Sequence, residues 1–244
     1  MEPRDGREEA SGARQARGPA EVHSGAQAEA EGKGEDQGAV EAIDVKGRAT
    51  VGVLALLLAV FALEAARGAV GDETALLSMG ALPNDGRLHH QYWRLVSYSA
   101  LHLNLVHIAL NVALLWWVGQ IVERRVGAVA MLGVYLLSAI AAGLAISFVR
   151  LSQPKGGSTL GASGGICGLL ACALVLLQWR NAARFEASKG VRRWLWVACA
   201  GALGASLLSG VSLAGHAAGL AAGALAGLFL SSIAARRAAG VMPI

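Results

Sequence analysis

Four polar residues in a strongly apolar chain are of the types that acyl transfer requires. Ser163 stands among glycines in "STLGASGGICGLL", at the head of a long apolar run. His216 opens a second run in "SLAGHAAG", and His107 and Asn111 sit early in a third, "LHLNLVHIALN". A serine hydroxyl is a weak nucleophile until a neighbouring base takes its proton, and His216 is the candidate base. The oxyanion that then develops needs hydrogen-bond donors aimed at it. His107 and Asn111 are four residues apart and share one helix face, so they are the candidate donors, together with the Ser163 backbone N–H. No acid is at hand to orient His216. After Glu123 the only carboxylate side chain is Glu186, in a basic loop at the other end of the runs. The chemistry open to these residues is that of a Ser–His dyad, without the acid of a triad.

Each residue taken singly has a plainer reading. A serine in a membrane helix commonly bonds its own backbone, as expected for Ser206, Ser209 and Ser231. His102 and Asn104 read as facing water at the top of their run, and His89 and His90 as solvated loop residues. What favours chemistry is that Ser163, His216, His107 and Asn111 fall at similar depth on three helices, where polar groups are costly. Two rival motifs fit less well. "GASGG" matches the G-x-S-x-G elbow of α/β hydrolases, but no strand precedes it and no acid follows between serine and histidine. A metal held by His102, His107 and His216 is weak, because the first two do not share a helix face and no acid joins them. No cofactor or metal is expected.

Six elements must carry these residues. The chain has 244 residues, 55% of them hydrophobic, against the 45–50% usual in soluble domains. Runs of roughly 20 apolar residues are long enough to cross a bilayer. The candidates are 49–66, 101–122, 128–149, 160–179, 194–209 and 211–233. Runs of this length without alternation are helices rather than barrel strands. The expected fold is therefore an all-α membrane protein with six transmembrane helices. Arg124, Arg125, Arg180, Arg184, Lys189, Arg192, Arg193, Arg236 and Arg237 gather on one side. By the positive-inside rule both termini are cytoplasmic and the Ser163 end faces outward, in what is expected to be the cell (inner) membrane.

Small residues recur every four positions along two of the runs: Gly215, Gly219, Gly223 and Gly227 on the last, and Gly164, Gly168 and Cys172 on the fourth. Such stripes let helix backbones approach closely, which would bring Ser163 and His216 to the top of a common seam. Gly143, in the third run, lies off that seam. Residues 1–48 are different in kind: rich in Gly, Ala, Glu and Arg, without an aromatic, and expected to be a disordered acidic cytoplasmic tail. Residues 1–50 carry seven basic and eleven acidic side chains, whereas the remainder sums to +8. The net +4 thus hides two regions, and binding of nucleic acid is not expected. The three cysteines, all inside apolar runs, suggest no disulfide framework.

In combination these motifs resemble those of the rhomboid intramembrane serine proteases, over about residues 50–235. "YWR" supplies a Trp–Arg pair, Trp93 and Arg94. "HIALN" is similar to the family's H-x-x-x-N, "ERRVG" to its E-x-x-x-G, "GASG" to its G-x-S-G, and "GHAAG" to its histidine motif. The resemblance implies a six-helix rhomboid-type bundle over residues 49–235, flanked by the tail and by residues 236–244. It implies a serine endopeptidase that hydrolyses peptide bonds in or near transmembrane segments of membrane-protein substrates, within the lipid bilayer. Ser163 would be the nucleophile and His216 the base, with His107 and Asn111 stabilising the oxyanion. One departure stands out: where some members carry an aromatic packed on the base, this chain has Cys167, so His216 must be oriented by something else. A catalytically silent relative that binds membrane proteins without cutting them is the alternative. A channel or transporter would need polar residues along a whole path, and the inner halves of the runs are nearly free of them.

Overall fold

The structure, a computed structural model, describes residues 47–178, 189–207 and 211–238. The tail expected to be disordered, the basic loop around Glu186, Ser209 and the C-terminal end lie outside the described residues. Eight helices are present in that portion: α1 Arg48–Ala66, α2 Glu73–Met79, α3 Arg94–Ser97, α4 Leu105–Val126, α5 Ala128–Ser152, α6 Ser163–Gln178, α7 Lys189–Ala205 and α8 Leu213–Ala238. Four of them, α1, α4, α5 and α8, are long and apolar enough to cross a membrane. Six long helices fall where the six apolar runs predict them. However, α6 and α7 have only 16 and 17 residues, about 24–26 Å at 1.5 Å per residue, short of a full crossing.

Helix α4 starts four residues later than hydropathy suggests. Leu101 and Asn104 are extended, and the Asn104 side chain accepts the His107 N–H at 2.9 Å, capping the helix. An N-cap residue adopts β-type backbone angles, so the polar side chain sets the start and overrides the apolar run. His102 and Asn104 therefore precede α4. The far end of α4 performs the reverse service for α1. The Glu123 carboxylate accepts the backbone N–H groups of Ala49 and Thr50 and the Thr50 hydroxyl, at 2.6–2.9 Å. An anion at a helix N-terminus satisfies unpaired donors and meets the positive end of the helix dipole.

Most of α6 is buried, as suits a helix that is apolar on every face. It packs among α4, α5, α7 and α8, closest of all against α8. There the two small-residue stripes meet in register. A Cβ added at Gly219 would strike the Gly164 carbonyl, one at Gly223 the Gly168 backbone, and one at Gly227 would lie 3.2 Å from Cys172 Cα. Gly215 departs from the expected seam and faces Ile146 of α5 instead.

The long connection between α1 and α4 is folded, not an open loop. The Asp72 side chain caps α2 by accepting the N–H groups of Thr74 and Ala75, and Gly80 closes that helix in the left-handed region. Arg94 then covers the α2 end, donating to the carbonyls of Leu77 and Ala81 at 2.7 Å, while its guanidinium lies over the Trp93 ring. Two short strands, β1 Leu82–Pro83 and β2 Ser158–Thr159, pair antiparallel, Leu82 opposite Thr159. Asn84 and Glu73 add hydrogen bonds across this join. The segment leading into Ser163 is thereby tied to the α1–α4 connection.

Candidate active site

Ser163 is the first residue of α6. The chain reaches it through Gly161, whose φ of +126° is a conformation that side chains rarely adopt, and a Cβ there would meet the His107 ring at 2.7 Å. Glycine is needed twice over, for the backbone angle and for the close approach. The Gly161 N–H donates to the Tyr98 carbonyl, and the buried Tyr98 hydroxyl donates to the Ala139 carbonyl. Because α6 begins at Ser163, the N–H groups of its first turn have no intrahelical acceptors, and the positive end of its dipole adjoins the hydroxyl.

His216 lies in the first turn of α8, which Ser212 precedes and caps: the Ser212 carbonyl accepts the His216 N–H and its hydroxyl accepts the Gly215 N–H. The glycine seam brings α8 against α6, and His216 Nε2 comes to rest 3.0 Å from Ser163 Oγ. On the other side of the ring, Nδ1 is 2.7 Å from the Ala202 carbonyl and 3.0 Å from the Ser206 hydroxyl, both of α7 or the turn that follows it. The element that orients the histidine is thus neither an acid nor an aromatic. Sequence reading misses it, because a backbone carbonyl leaves no mark in the residue type. Ser206 does bond its own helix, through the Ala202 carbonyl at 3.2 Å, but it also faces the histidine. Ser231 is buried with no hydrogen-bond partner for its hydroxyl among the described residues, contrary to the backbone bond expected of it.

Ser163, His216, His107 and Asn111 line one cavity of about 350 Å³ between α4 and α7, floored by Cys167 and walled by Gly201, Ala202 and Ala205. A smaller space of about 60 Å³ lies on the α5 side, shared by Ser163, His107, His216 and Tyr98, and is large enough for water. All four sequence-derived candidates are therefore brought together. Asn111 is buried and donates one amide N–H to the His107 carbonyl at 2.8 Å; an amide nitrogen has a second N–H to offer.

His102 corrects the sequence reading in two respects. It is fully buried rather than facing water, and its ring lies 5.1 Å from that of His107, edge to face. Helical spacing would hold the two rings apart, but His102 precedes the helix and folds back. Burial, reinforced by the neighbouring His107, pushes its imidazole down to about 4. Its backbone N–H donates to the buried Glu64 carboxylate at 3.0 Å, a contact between α1 and the site that no motif signals.

Residues 89–233, more than half of the chain, match the Rhomboid domain family. The chain is 37% identical over 118 residues to a Bacillus subtilis protein named rhomboid protease GluP, an alignment covering 48% of this chain and 22% of that one. It is 34% identical over 101 residues to the rhomboid protease GlpG of Serratia proteamaculans, covering 41% and 35%, and 31% identical over 97 residues to that of Klebsiella pneumoniae, covering 40% and 34%. The alignments thus span between about a fifth and a third of these relatives' own lengths. With four helices able to cross a bilayer and a family match across α4 to α8, this integral membrane protein belongs to the rhomboid family.

Proposed function

We propose that the protein is an intramembrane serine endopeptidase working through a Ser163–His216 dyad. The observation that carries this reading is the 3.0 Å contact between His216 Nε2 and Ser163 Oγ, within the reach a general base needs. His216 takes the hydroxyl proton as Ser163 Oγ attacks the scissile carbonyl carbon. The oxyanion forms beside His107, the free N–H of Asn111 and the first turn of α6. The protonated His216 then gives its proton to the leaving amine. A water entering through the smaller space attacks the acyl carbon as it loses a proton to His216, and His216 returns that proton to Ser163 Oγ as the acyl–serine bond breaks.

The substrate is the transmembrane segment of another membrane protein, taken from the same bilayer. A helix in lipid has all its backbone groups paired, so a local unwinding must expose the scissile bond. In this reading α6 and α7 complete six spans, residues 49–235 form the membrane domain and both termini are cytoplasmic. The shortness of α6 sets Ser163 below the outer surface of the membrane. The test is labelling of the purified protein by a fluorophosphonate, together with cleavage of a single-pass substrate. Both should be lost in Ser163→Ala and in His216→Ala proteins that still insert. Cleavage persisting in either purified variant refutes the dyad, and a wild type that binds substrate but neither labels nor cleaves it is a silent relative.

A further inference from the structure

We propose that Ser206 is a positioning residue for His216. With the Ala202 carbonyl it forms a pair of acceptors that holds the imidazole in the tautomer able to take the Ser163 proton. The inference rests on the dyad reading above and deepens it. A carbonyl oxygen only accepts, so the 2.7 Å contact from His216 Nδ1 to Ala202 requires a proton on Nδ1. Nε2 then carries the lone pair, and it is Nε2 that faces the serine hydroxyl at 3.0 Å.

Ser206 completes the arrangement. Its hydroxyl donates to the Ala202 carbonyl at 3.2 Å and keeps a lone pair directed at Nδ1, 3.0 Å away. Nδ1–H is thus shared by two acceptors. Once His216 has taken the serine proton, both bonds become charge-assisted and roughly twice as strong as neutral ones. They strengthen as the transition state is approached, which is the condition for accelerating the chemical step. No Asp or Glu lines either cavity at the dyad among the described residues. Nor does an aromatic ring occupy the place of Cys167. The hydroxyl and carbonyl do what a buried carboxylate does in a triad, at lower strength and without an ionised group in the membrane.

This places the base under the control of α7, which is lightly docked. Along α7 only Leu195 and Cys199 are buried, and Gly201 and Gly204 meet nothing within 4 Å. The α6–α8 seam, by contrast, is closed backbone to backbone. The distance from base to nucleophile is therefore set by one helix pair, and the tautomer of the base by a different helix that is freer to move.

The experiment uses the full chain in detergent with 15N-labelled histidine. Two quantities are read: the 15N shifts of the His216 imidazole, which distinguish Nδ1–H from Nε2–H, and kcat and KM for a single-pass substrate. Ser206→Val should lower kcat about tenfold, equivalent to about 1.4 kcal/mol, at unchanged KM, and should populate the Nε2–H tautomer as a minor fraction, because the Ala202 carbonyl alone then holds Nδ1–H. Ser206→Thr should restore both. Ser206→Ala serves if valine prevents folding. Wild-type kcat with the Nδ1–H tautomer retained in Ser206→Val or Ser206→Ala overturns the proposal. So does a loss that threonine fails to restore, since that is a packing effect. Reading the tautomer in Ser163→Ala as well separates the two ideas. A wild type that cleaves nothing refutes the dyad reading, while a shift of tautomer with Ser206 still decides the positioning role.

Discussion

A single methyl group at Gly219 should disable the dyad without touching either member of it. Gly219 lies three residues after His216, and the backbone it abuts is that of Gly164, next to Ser163. An added Cβ would strike the Gly164 carbonyl oxygen and lie 3.1 Å from its carbon and 3.3 Å from Cys167 Cβ. Non-bonded carbons sit comfortably at about 3.5–4.0 Å, so the two backbones must part by on the order of 1 Å. A backbone cannot rotate out of the way as a flexible side chain does. The separation is felt less than a turn away, at the 3.0 Å contact between His216 Nε2 and Ser163 Oγ. At about 3.6 Å that contact is no longer a hydrogen bond, and a displacement of about 1 Å at reacting groups costs on the order of 10²-fold. Overpacking should also lower stability by about 1–3 kcal/mol. The assay is the rate of fluorophosphonate labelling and of substrate cleavage for Gly219→Ala in detergent, beside Gly133→Ala, whose Cβ would meet nothing within 4 Å. Gly143, the comparison that sequence alone suggests, is unsuitable: a Cβ there lies 3.1 Å from both Leu95 and Tyr98. If Gly219→Ala inserts normally and labels at the wild-type rate, the seam does not set the dyad distance and the reasoning fails.

Three further outcomes follow from the geometry. Asn111→Ala should cut kcat by roughly 10²–10³ while leaving KM nearly unchanged, as for the loss of one oxyanion donor; an unchanged kcat removes Asn111 from the site. Glu123→Gln weakens three hydrogen bonds at the start of α1 and should cost about 1–2 kcal/mol of stability, read as a lower thermal midpoint in detergent. His102 gives a pH dependence: its imidazole is held at about 4 in the folded protein against about 6.5 when solvated. The unfolded chain therefore binds the extra proton between these values, and stability falls as pH drops from 6.5 towards 4. His102→Gln should flatten that slope in unfolding measurements across the range; an identical slope in the variant assigns the effect to other groups.

The apolar runs and the glycine stripes were legible in the residues because each is a matter of period along one helix, and the pairing of Ser163 with His216 because the two fall at similar depth on runs whose stripes can meet. The ends of α4 were not, since Asn104 sets its start through a capping bond that hydropathy does not register. Nor was the folded connection between α1 and α4. Its short helices and its strand pair are held by Arg94, Asn84 and Glu73 reaching across long sequence distances, and alone they carry no clear period. The burial of Glu64 and His102 was hidden for the same reason, because their contact joins α1 to a segment 38 residues away. The acceptor for His216 is a backbone carbonyl, identical in every residue, so only the docking of α7 could reveal it.

The Glu123 cap on α1 also imposes an order on how the chain can be assembled during synthesis. The donors of Ala49 and Thr50 leave the ribosome 73–74 residues before the carboxylate that will accept them. At about 5–20 residues per second that is a wait of roughly 4–15 s. For that interval the start of α1 has only water or headgroups to bond, so the first span is inserted but unanchored at that end. It becomes fixed when the end of α4 emerges, while α6, α7 and α8 have still to emerge. The α1–α4 pair can therefore close before the helices carrying Ser163 and His216 emerge, which makes it the platform onto which they are later packed.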